Sequence, residues 1–386
     1  MADLASILGA DRLTDHDGTP VLTPRDEAEV AALLAAATRD GLSLRVRGGG
    51  TKRDWQAAPE RCDAILSTAA LTGIVDHQPG DMTLVARAGT PLAAVQSAIA
   101  ADDRHRQRLM LDSLGGDAAT LGGILSTRAA GPRRHRYGTP RDIVIGARYV
   151  TGDGLAAKTG GTVVKNVAGY DVAKLLIGAH GSLAVLTEVA VKLHPVPDVE
   201  RTLVLRTTDA GEAARFVAAL RTAPVTPIVV DVRWPEGLVA VRIASTAAGA
   251  DAQVALLHEL AALDELDATA GDALLEEHLA FPFSGTGAVL GVGVRPTDLA
   301  PLLAAVTAAG GAFTGRAALV AGDVVLPDAD PDRITRLVSA IRALDGNVTA
   351  RRTAEAHDLA APVPTPGVAL LDAAMRSRLD PAGALA

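Results

Sequence analysis

Residues 45–52 of the chain read RVRGGGTK, and this stretch decides how the rest of the sequence is interpreted. Residues 42–47 have the pattern of a short strand, so the three glycines begin where the strand ends. Consecutive glycines let backbone N–H groups point into one concavity, which phosphate oxygens can approach without meeting a Cβ. Thr51 and Lys52 add a hydroxyl and a positive charge. Taken alone, the stretch is more typical of a plain glycine loop, and it matches neither the P-loop nor the spaced-glycine dinucleotide fingerprint.

Two further glycine-rich segments lie far from the first in sequence and could converge with it on one ligand. Residues 120–127 read TLGGILST and are followed by GPRR at 131–134 and by Tyr137 and Gly138. The glycines at the start of this segment stand where a helix would begin, so we expect free N–H groups and a positive helix end that suit an anion. The third segment is KNVAGYD at 165–171, followed by GAHGSL at 178–183. There Gly181 would permit close approach of the backbone to the ligand.

Composition excludes several classes of protein. The chain has 386 residues with 48% apolar residues, a formal net charge of −8 and 2% aromatic residues. The acidic balance and the few aromatic residues argue against nucleic acid as the main partner. Cys62 is the single cysteine, which excludes an internal disulfide framework and a cysteine-ligated zinc or iron–sulfur site. No apolar run approaches the length of a spanning helix and the N-terminus does not resemble a signal peptide, so we expect a cytoplasmic protein without a membrane anchor of its own.

Helices and strands are predicted to alternate up to His194-Pro195-Val196-Pro197, where we place the main domain boundary. The first helix is predicted to begin with Thr23 as N-cap and Pro24 at the first helical position, and to stop at Gly41. The other elements expected in this half are a strand over 82–88, a helix ending near residue 101, a hairpin over 143–151 and 155–159, a helix over 171–177 and a strand over 183–193.

After the boundary the order of elements changes. The first unit is predicted as a strand over 201–207, a helix over 209–222, strands over 227–233 and 238–243, and a helix over 250–264. The second is predicted as a strand over 288–295, a helix over 297–309, strands over 316–320 and 323–327, a helix over 331–344 and a strand over 347–352. This second order, β-α-β-β-α-β, is the ferredoxin-like arrangement. A short helix is expected over 370–379.

Together the three glycine segments, in this order and spacing, closely resemble the FAD-binding domain of the vanillyl-alcohol-oxidase (PCMH-type) flavoproteins, and within that group the match is best to the E subunit of glycolate oxidase. The resemblance covers residues 23–195, about half of the chain. It is carried by RVRGGGTK, LVARAGTPLAAV, TLGG, GPRRHRYGTPRDIVIGARYVTGDG and VVKNVAGYDVAKLLIGAHGSLAVLTEVAVKLHP. It implies an α+β fold, with a two-subdomain PCMH-type FAD-binding domain at 1–197, a ferredoxin-like α/β cap domain at 198–352 and a tail at 353–386 that could return to the FAD domain.

The resemblance also implies a set of cofactor contacts. The first glycine loop would hold the FAD pyrophosphate, residues 120–127 would run beside the pyrophosphate and flavin, and Gly131 would lie near the isoalloxazine. Gly181 and the backbone around Val185 would approach the adenosine end, and the segment with Tyr137 would support the site from behind. The cofactor-binding residues predicted in this way are Arg47, Gly48, Gly49, Gly50, Thr51, Lys52, Thr120, Leu121, Gly122, Gly123, Ser126, Thr127, Gly131, Tyr137, Gly138, Gly181 and Val185.

The sequence departs from the family pattern in two ways that bear on its chemistry. Many relatives attach the flavin to a histidine beside the first glycine loop, whereas Thr51 stands there in this chain, so we expect non-covalent FAD. Related 2-hydroxy-acid dehydrogenases carry paired histidines and an acid that bind a metal in the cap. In this chain His258, His278 and His357 are isolated in sequence, so we expect no metal site.

Oxidation of a 2-hydroxy acid requires a cationic clamp for its carboxylate and a base for its hydroxyl proton. The clamp candidates are Arg133, Arg134 and Arg136, with His135 among them, and in the cap Arg316, Arg351 and Arg352. A solvated loop or a contact with a partner explains the same basic residues. No catalytic base is identifiable from the sequence, because lone histidines are more typical of surface or capping positions.

Three functions remain open from the sequence. The resemblance favours an FAD-binding subunit of a glycolate-oxidase-type 2-hydroxy-acid dehydrogenase, which passes electrons to other flavin and iron–sulfur subunits and is peripheral to the membrane, if at all, through them. A self-contained FAD-dependent oxidase or dehydrogenase for another alcohol or a sugar is the second. A scaffolding subunit that keeps the fold without using flavin is the third.

Overall fold

The computed structural model describes residues 2–162, 170–359 and 366–386. The expectations for residues 165–169 of the third glycine segment therefore lie outside the described residues. Within the described ranges the chain has the predicted α+β architecture, with a four-stranded, a five-stranded and a two-stranded sheet in its first half and one eight-stranded antiparallel sheet in its second half. None of the helices in this part of the chain is long and apolar enough to cross a membrane.

Residues 2–67 form the first subdomain. Its elements are α1 (Ala2–Leu8), β1 (Leu13–His16), β2 (Thr19–Leu22), α2 (Glu27–Asp40), β3 (Leu44–Arg47) and β4 (Ala64–Ser67). The strands lie in the order β1-β2-β4-β3, with β4 parallel to both of its neighbours. The apolar stripe of α2 is buried in one core with the strands, which leaves the end of β3 and the glycine loop after it at the edge of the subdomain.

Helix α2 begins three residues later than predicted. Asp26, and not Thr23, is the N-cap, and its carboxylate accepts a hydrogen bond from the backbone N–H of Glu29 at 2.9 Å. Asp26 has the extended backbone that a cap requires, so Pro24 lies outside the helix and its missing N–H has no role in the first turn. The predicted stop is confirmed, because Gly41 adopts a left-handed conformation with φ of 63°.

The second subdomain contains a five-stranded antiparallel sheet. Its elements are β5 (Ile74–Gln78), β6 (Thr83–Arg87), α3 (Leu92–Ala100), β7 (Gln107–Arg108), α4 (Leu121–Ser126), α5 (Arg134–Tyr137), α6 (Pro140–Ile143), β8 (Val144–Thr151), β9 (Ala156–Gly160), α7 (Val172–Leu176), β10 (Ala184–Lys192) and β11 (His194–Pro195). The strands lie in the order β5-β6-β10-β8-β9, and β11 pairs with β7. The predicted hairpin is confirmed as β8 and β9. Helices α3, α4 and α7 share one core with this sheet, and so α4 is held against it.

The cap is one eight-stranded antiparallel sheet with helices. Its elements are β12 (Val199–Arg206), α8 (Ala210–Leu220), β13 (Pro227–Trp234), β14 (Leu238–Ser245), α9 (Ala247–Leu260), β15 (Asp264–Leu266), α10 (Ala268–Ala280), β16 (Val289–Gly293), α11 (Leu299–Ala308), β17 (Ala312–Arg316), β18 (Ala321–Val325), α12 (Pro331–Ala343) and β19 (Asn347–Arg352). The strand order is β15-β12-β14-β13-β17-β18-β16-β19. Each half has the ferredoxin-like order of its own four strands, and the halves meet where β13 pairs with β17.

Two predictions for the cap are wrong in position. The helix predicted over 250–264 ends at Leu260, and β15 follows it as the edge strand that completes the first ferredoxin-like unit. This three-residue strand, Asp-Glu-Leu, carries no apolar alternation and is fixed by pairing with β12. The hairpin strands predicted over 316–320 and 323–327 are displaced because the turn at 317–320, Ala-Ala-Leu-Val, is apolar and lacks the residues that mark turns.

The tail consists of α13 (Ala354–Leu359), α14 (Pro366–Leu379) and an extended end. The N–H of Leu44 in β3 donates to the carbonyl of Ala384 at 2.8 Å, and the N–H of Ala386 donates to the carbonyl of Leu44 at 2.9 Å. The carboxylate of Asp380 accepts from the N–H groups of Ala384 and Leu385. The end of the tail is therefore bonded to the strand that leads into the first glycine loop. We retain the domain limits 1–197, 198–352 and 353–386 as a proposal.

Candidate functional site

A cleft with a volume of about 310 Å³ lies where the loop after β3 faces α4 and the start of β10. This volume is within the range of roughly 300–1,000 Å³ that small-molecule sites occupy. The described parts of all three glycine segments contribute to its wall. The predicted cofactor residues that line it are Arg47, Gly48, Gly49, Gly50, Thr51, Lys52, Thr120, Gly122, Gly123, Ser126, Thr127 and Gly181.

The other predicted cofactor residues lie away from the cleft wall. Leu121 and Val185 are fully buried in the two cores beside it. Gly131 lies against Leu279 of the cap, where a Cβ would come within 2.5 Å of that side chain. Gly138 lies against the Asp142 carboxylate, and the Tyr137 ring packs edge-on against His194 with a centroid distance of 4.9 Å.

The first glycine loop offers unused hydrogen-bond donors. Among the residues that the structure describes, no acceptor is bonded to the backbone N–H groups of residues 48–52. Successive backbone N–H groups that line a cleft without a protein acceptor are available to an anion or to water. Gly50 has φ of 71°, which turns the chain here and favours glycine.

Gly49 is required for packing more than for ligand approach. A Cβ at Gly49 would lie 1.7 Å from the carbonyl oxygen of Ala118, which is a collision with backbone. A Cβ at Gly48 would lie 2.4 Å from the hydroxyl oxygen of Thr120. These glycines would let phosphate oxygens approach, as predicted. They also let the loop pack against residues 118–120, the segment that precedes α4.

Lys52 is a buried cation at the wall of the cleft. It is 8% exposed, and its ammonium donates a hydrogen bond to the hydroxyl of Thr51 at 3.1 Å. No carboxylate in the described part of the chain pairs with it. Burial lowers the pKa of Lys52 to about 8, because nothing nearby compensates for the lost hydration of its charge. Lys52 therefore favours a negatively charged ligand in the cleft.

The start of α4 does not offer the free N–H groups that the sequence predicted. The N–H of Leu121 donates to the carbonyl of Thr90 at 3.0 Å, and the N–H of Gly122 donates to the carbonyl of Ala88 at 2.7 Å. The N–H of Gly123 donates to the hydroxyl of Thr120 at 3.2 Å. That prediction is wrong because the carbonyls of Ala88 and Thr90, in the turn after β6, and the Thr120 hydroxyl already accept from these groups. Helix α4 therefore forms the wall of the cleft, while the loop over 48–52 supplies the donors.

Two histidines line the cleft that the sequence did not assign to it. His180 has a left-handed backbone with φ of 55°, and its N–H donates to the carbonyl of Ser126 at 2.8 Å. Burial, and then the charge of Arg351, lower the pKa of His180. His16 on β1 lines the cleft as well. His180 lies inside the glycine-rich segment GAHGSL, which is a local signal for its place in the cleft, whereas no local pattern marks His16.

The clamp candidates fall into two groups. Arg133 forms an ion pair with the buried Asp112 at 2.8 Å, Arg352 donates to the carbonyls of Gly287 and Ser284, and Arg136 faces another cavity. None of the six candidates is among the residues that line the cleft. In the second group, burial and then the charges of Arg316, Arg128 and Arg351 lower the pKa of Arg134 to about 10.

The converging arginines join the cap to the cofactor half. Arg316 donates to the carbonyls of Ala321 and Ala130, which lie on opposite sides of the junction between the cap and the second subdomain. Arg351 lies over the ring of Trp55, with its guanidinium carbon 4.1 Å from the ring centroid, and forms an ion pair with Asp323 at 2.8 Å. Arg134 has no ion-pair partner among the described residues, so it retains its donors for a ligand.

His278 is not isolated, contrary to the interpretation from sequence spacing. Its Nδ1 lies 2.8 Å from a carboxylate oxygen of Asp231, and both side chains are almost fully buried. Its Nε2 has no hydrogen-bond partner in the described part of the chain. Asp231 stands opposite Arg316 in the register of β13 and β17. No sequence pattern joins residues 231 and 278, because β13 and α10 meet only in the folded cap.

The chain is similar in sequence to proteins that contain an FAD-binding domain, and the similarity covers the residues around the cleft. Residues 19–172, which include the cleft-lining loop and α4, match the model of a family described as FAD binding domain. The first half of the chain has the fold of a PCMH-type FAD-binding domain. Its sequence is 42% identical over 126 residues to the glycolate oxidase subunit GlcE of Escherichia coli, which is 32% of this chain and 35% of that protein. It is 33% identical over 176 residues to a D-lactate dehydrogenase of Archaeoglobus fulgidus, which is 45% of this chain and 38% of that protein.

The curated relatives are matched over only part of their length, between about a third and a half in the glycolate oxidase subunits and the lactate dehydrogenase. Solved structures, in contrast, superpose on nearly the whole chain, including the cap. p-Cresol methylhydroxylase has a TM-score of 0.78 and 14% identity, and the superposition covers 99% of this chain and 94% of that one. At this identity the similarity shows the fold alone, and it extends the fold assignment of the FAD-binding domain to the cap.

Proposed function

We propose that the cleft holds FAD without a covalent link, with its pyrophosphate at the loop over 48–52. The free N–H groups of that loop and the uncompensated charge of Lys52 support this placement, since both favour an anion. Thr51 beside the loop cannot form the histidine linkage found in many relatives. His16 and His180 also line the cleft and are the residues to inspect if a link exists.

The test for the link is acid precipitation of the flavin-loaded protein. Yellow supernatant and colourless pellet are the expected result. Flavin that stays with the pellet, with a flavin mass added to a peptide containing His16 or His180, would reject the non-covalent assignment.

We further propose that the chain is the FAD-binding subunit of a glycolate-oxidase-type 2-hydroxy-acid dehydrogenase. The observation that carries this proposal is that Arg316 and Arg351 of the cap reach across to Ala130 and Trp55 of the first half, which also contains the unpaired Arg134. A carboxylate held there would gain charge-assisted hydrogen bonds, and Arg134 has donors free to make them. The names of the relatives, a glycolate oxidase subunit and a D-lactate dehydrogenase, agree with a small 2-hydroxy acid as substrate.

The residues of this chain would bind and orient the substrate. Arg134 and Arg316 would hold the carboxylate, while the ion pair of Arg351 with Asp323 and its contact with Trp55 would fix the third guanidinium. FAD, when bound, supplies the acceptor for the hydrogen at C2 of the acid. The hydroxyl proton leaves to a base, and the product is the 2-oxo acid. The electrons would then pass to partner subunits, which we expect to carry flavin and iron–sulfur groups, in an assembly on the cytoplasmic side.

The experiment that tests this function is an anaerobic absorption spectrum of the flavin-loaded chain with glycolate or D-lactate. Bleaching of the flavin bands is the expected result for a chain that is substrate-competent alone. Bands that bleach only after partner subunits are added would support the role as one subunit of a complex. Bands that persist with these acids in the complete assembly would reject the 2-hydroxy-acid assignment and favour the alternative of another alcohol or a sugar. A folded chain that retains no FAD would favour a scaffolding subunit.

A further inference from the structure

A second cavity, with a volume of about 360 Å³, lies on the other side of α5. The cofactor half contributes Arg136 and Tyr137 from α5, and Lys192, His194 and Pro195 from the end of β10 and from β11. The cap contributes Thr226, Ile228 and Ala244. None of these residues lines the cofactor cleft, so the two cavities are separate.

The basic side chains of this cavity lack acidic partners. Within the described ranges, neither Arg136 nor Lys192 forms an ion pair or a side-chain hydrogen bond. The Nε2 atom of His194 is buried and has no hydrogen-bond partner there. Burial lowers the pKa of His194, and the nearby charges of Lys192 and Arg136 lower it further.

The acids whose charges reach this region are already engaged. Glu200 forms ion pairs with Arg242 at 3.0 Å and with Arg108 at 3.9 Å. Asp142 accepts hydrogen bonds from the N–H and the hydroxyl of Thr139, as part of the capping box of α6. Neither acid forms an ion pair with Arg136 or Lys192, although the charge of Lys192 helps to lower the pKa of Asp142. The donors of both cations therefore remain available to a bound anion.

We propose that this cavity is a binding site for a small oxyanion, a carboxylate or a phosphate, outside the cofactor cleft. Arg136, Lys192 and His194 supply the donors from the cofactor half. The cap supplies a wall of Ile228 and Ala244, while the Thr226 hydroxyl is bonded to the side chain of Gln253. The anion would therefore be bound by the first half of the chain, and cap residues would cover the cavity. Binding to the folded chain alone would raise its unfolding midpoint.

The experiment titrates the chain, held saturated with FAD, with inorganic phosphate and in a parallel arm with malonate, at constant ionic strength set with chloride. Calorimetry gives the affinity, and a thermal scan gives the shift of the unfolding midpoint. Lys192→Gln and Arg136→Gln are the test variants. Arg336→Gln, which changes an exposed arginine on α12, is the matched control.

We expect at least one of the two anions to bind and to raise the midpoint, with an affinity reduced about fivefold in each test variant and unchanged in the control. The arm that binds more tightly identifies the site as a phosphate or a carboxylate site. Absence of binding in both arms overturns the proposal, and so does binding with equal affinity in the two test variants and the unmodified chain. Retained FAD content in each variant shows that it is folded, and if one variant loses FAD the other decides.

Discussion

Lys52 offers the sharpest test of where the cofactor phosphates lie. Its pKa of about 8 in the folded chain compares with the ordinary lysine value of 10.5. This difference corresponds to roughly 3 kcal/mol of folding free energy. Because the folded-state pKa lies below the unfolded one, the charged form opposes folding fully below pH 8, and the penalty is relieved as the pH rises from about 8 to about 10.5. We therefore expect Lys52→Met to stabilise the FAD-free protein at pH 7 by about 2–3 kcal/mol.

The same substitution should weaken FAD binding. An anionic pyrophosphate at the loop would compensate the Lys52 charge. Removing that charge in Lys52→Met should therefore raise the dissociation constant of FAD by about tenfold or more at pH 7. For the unmodified chain, FAD affinity should fall as the pH rises above 8, since the lysine of the FAD-free protein is then neutral. Denaturant unfolding of FAD-free protein and calorimetric titration with FAD measure the two effects. Lys174→Met, at an exposed ion pair with Asp171, is the control. A Lys52→Met protein that is less stable without FAD and binds FAD as tightly as before would refute the reasoning.

Three further changes test other parts of the structure. Gly49→Val should abolish FAD retention, because its Cβ would collide with the carbonyl of Ala118 and displace the glycine loop; a folded variant with full flavin content would contradict this. His278→Leu should cost roughly 3–5 kcal/mol of unfolding free energy by leaving Asp231 buried without its partner. Adding Asp231→Val should recover part of that loss in denaturant titrations, and a double variant less stable than the single one would count against this explanation. Arg134→Gln should weaken 2-hydroxy-acid binding by about tenfold while FAD content stays constant, measured by anaerobic flavin reduction against substrate concentration; unchanged substrate dependence would remove Arg134 from the clamp.

Local patterns in the sequence were reliable where neighbouring residues decide the outcome. The end of α2 at Gly41, the hairpin of β8 and β9 and the second ferredoxin-like unit follow from turn residues and apolar periodicity. Local patterns did not predict elements whose position depends on pairing with a strand far away in the sequence. β15 is a strand because it pairs with β12, and the strand of β17 ends at an apolar turn that no local signal marks.

Short contiguous segments were enough to indicate a glycine-rich half that resembles FAD-binding domains and a ferredoxin-like cap. Which groups of the site are free to act depends on contacts between residues far apart in the chain. The carbonyls of Ala88 and Thr90 accept the N–H groups at the start of α4, Asp112 forms an ion pair with Arg133, and Asp231 lies against His278. Lys52 and Arg134 have no acidic partners in the described chain. A side chain's availability depends on what the fold brings against it from distant positions, and the sequence near it does not record that.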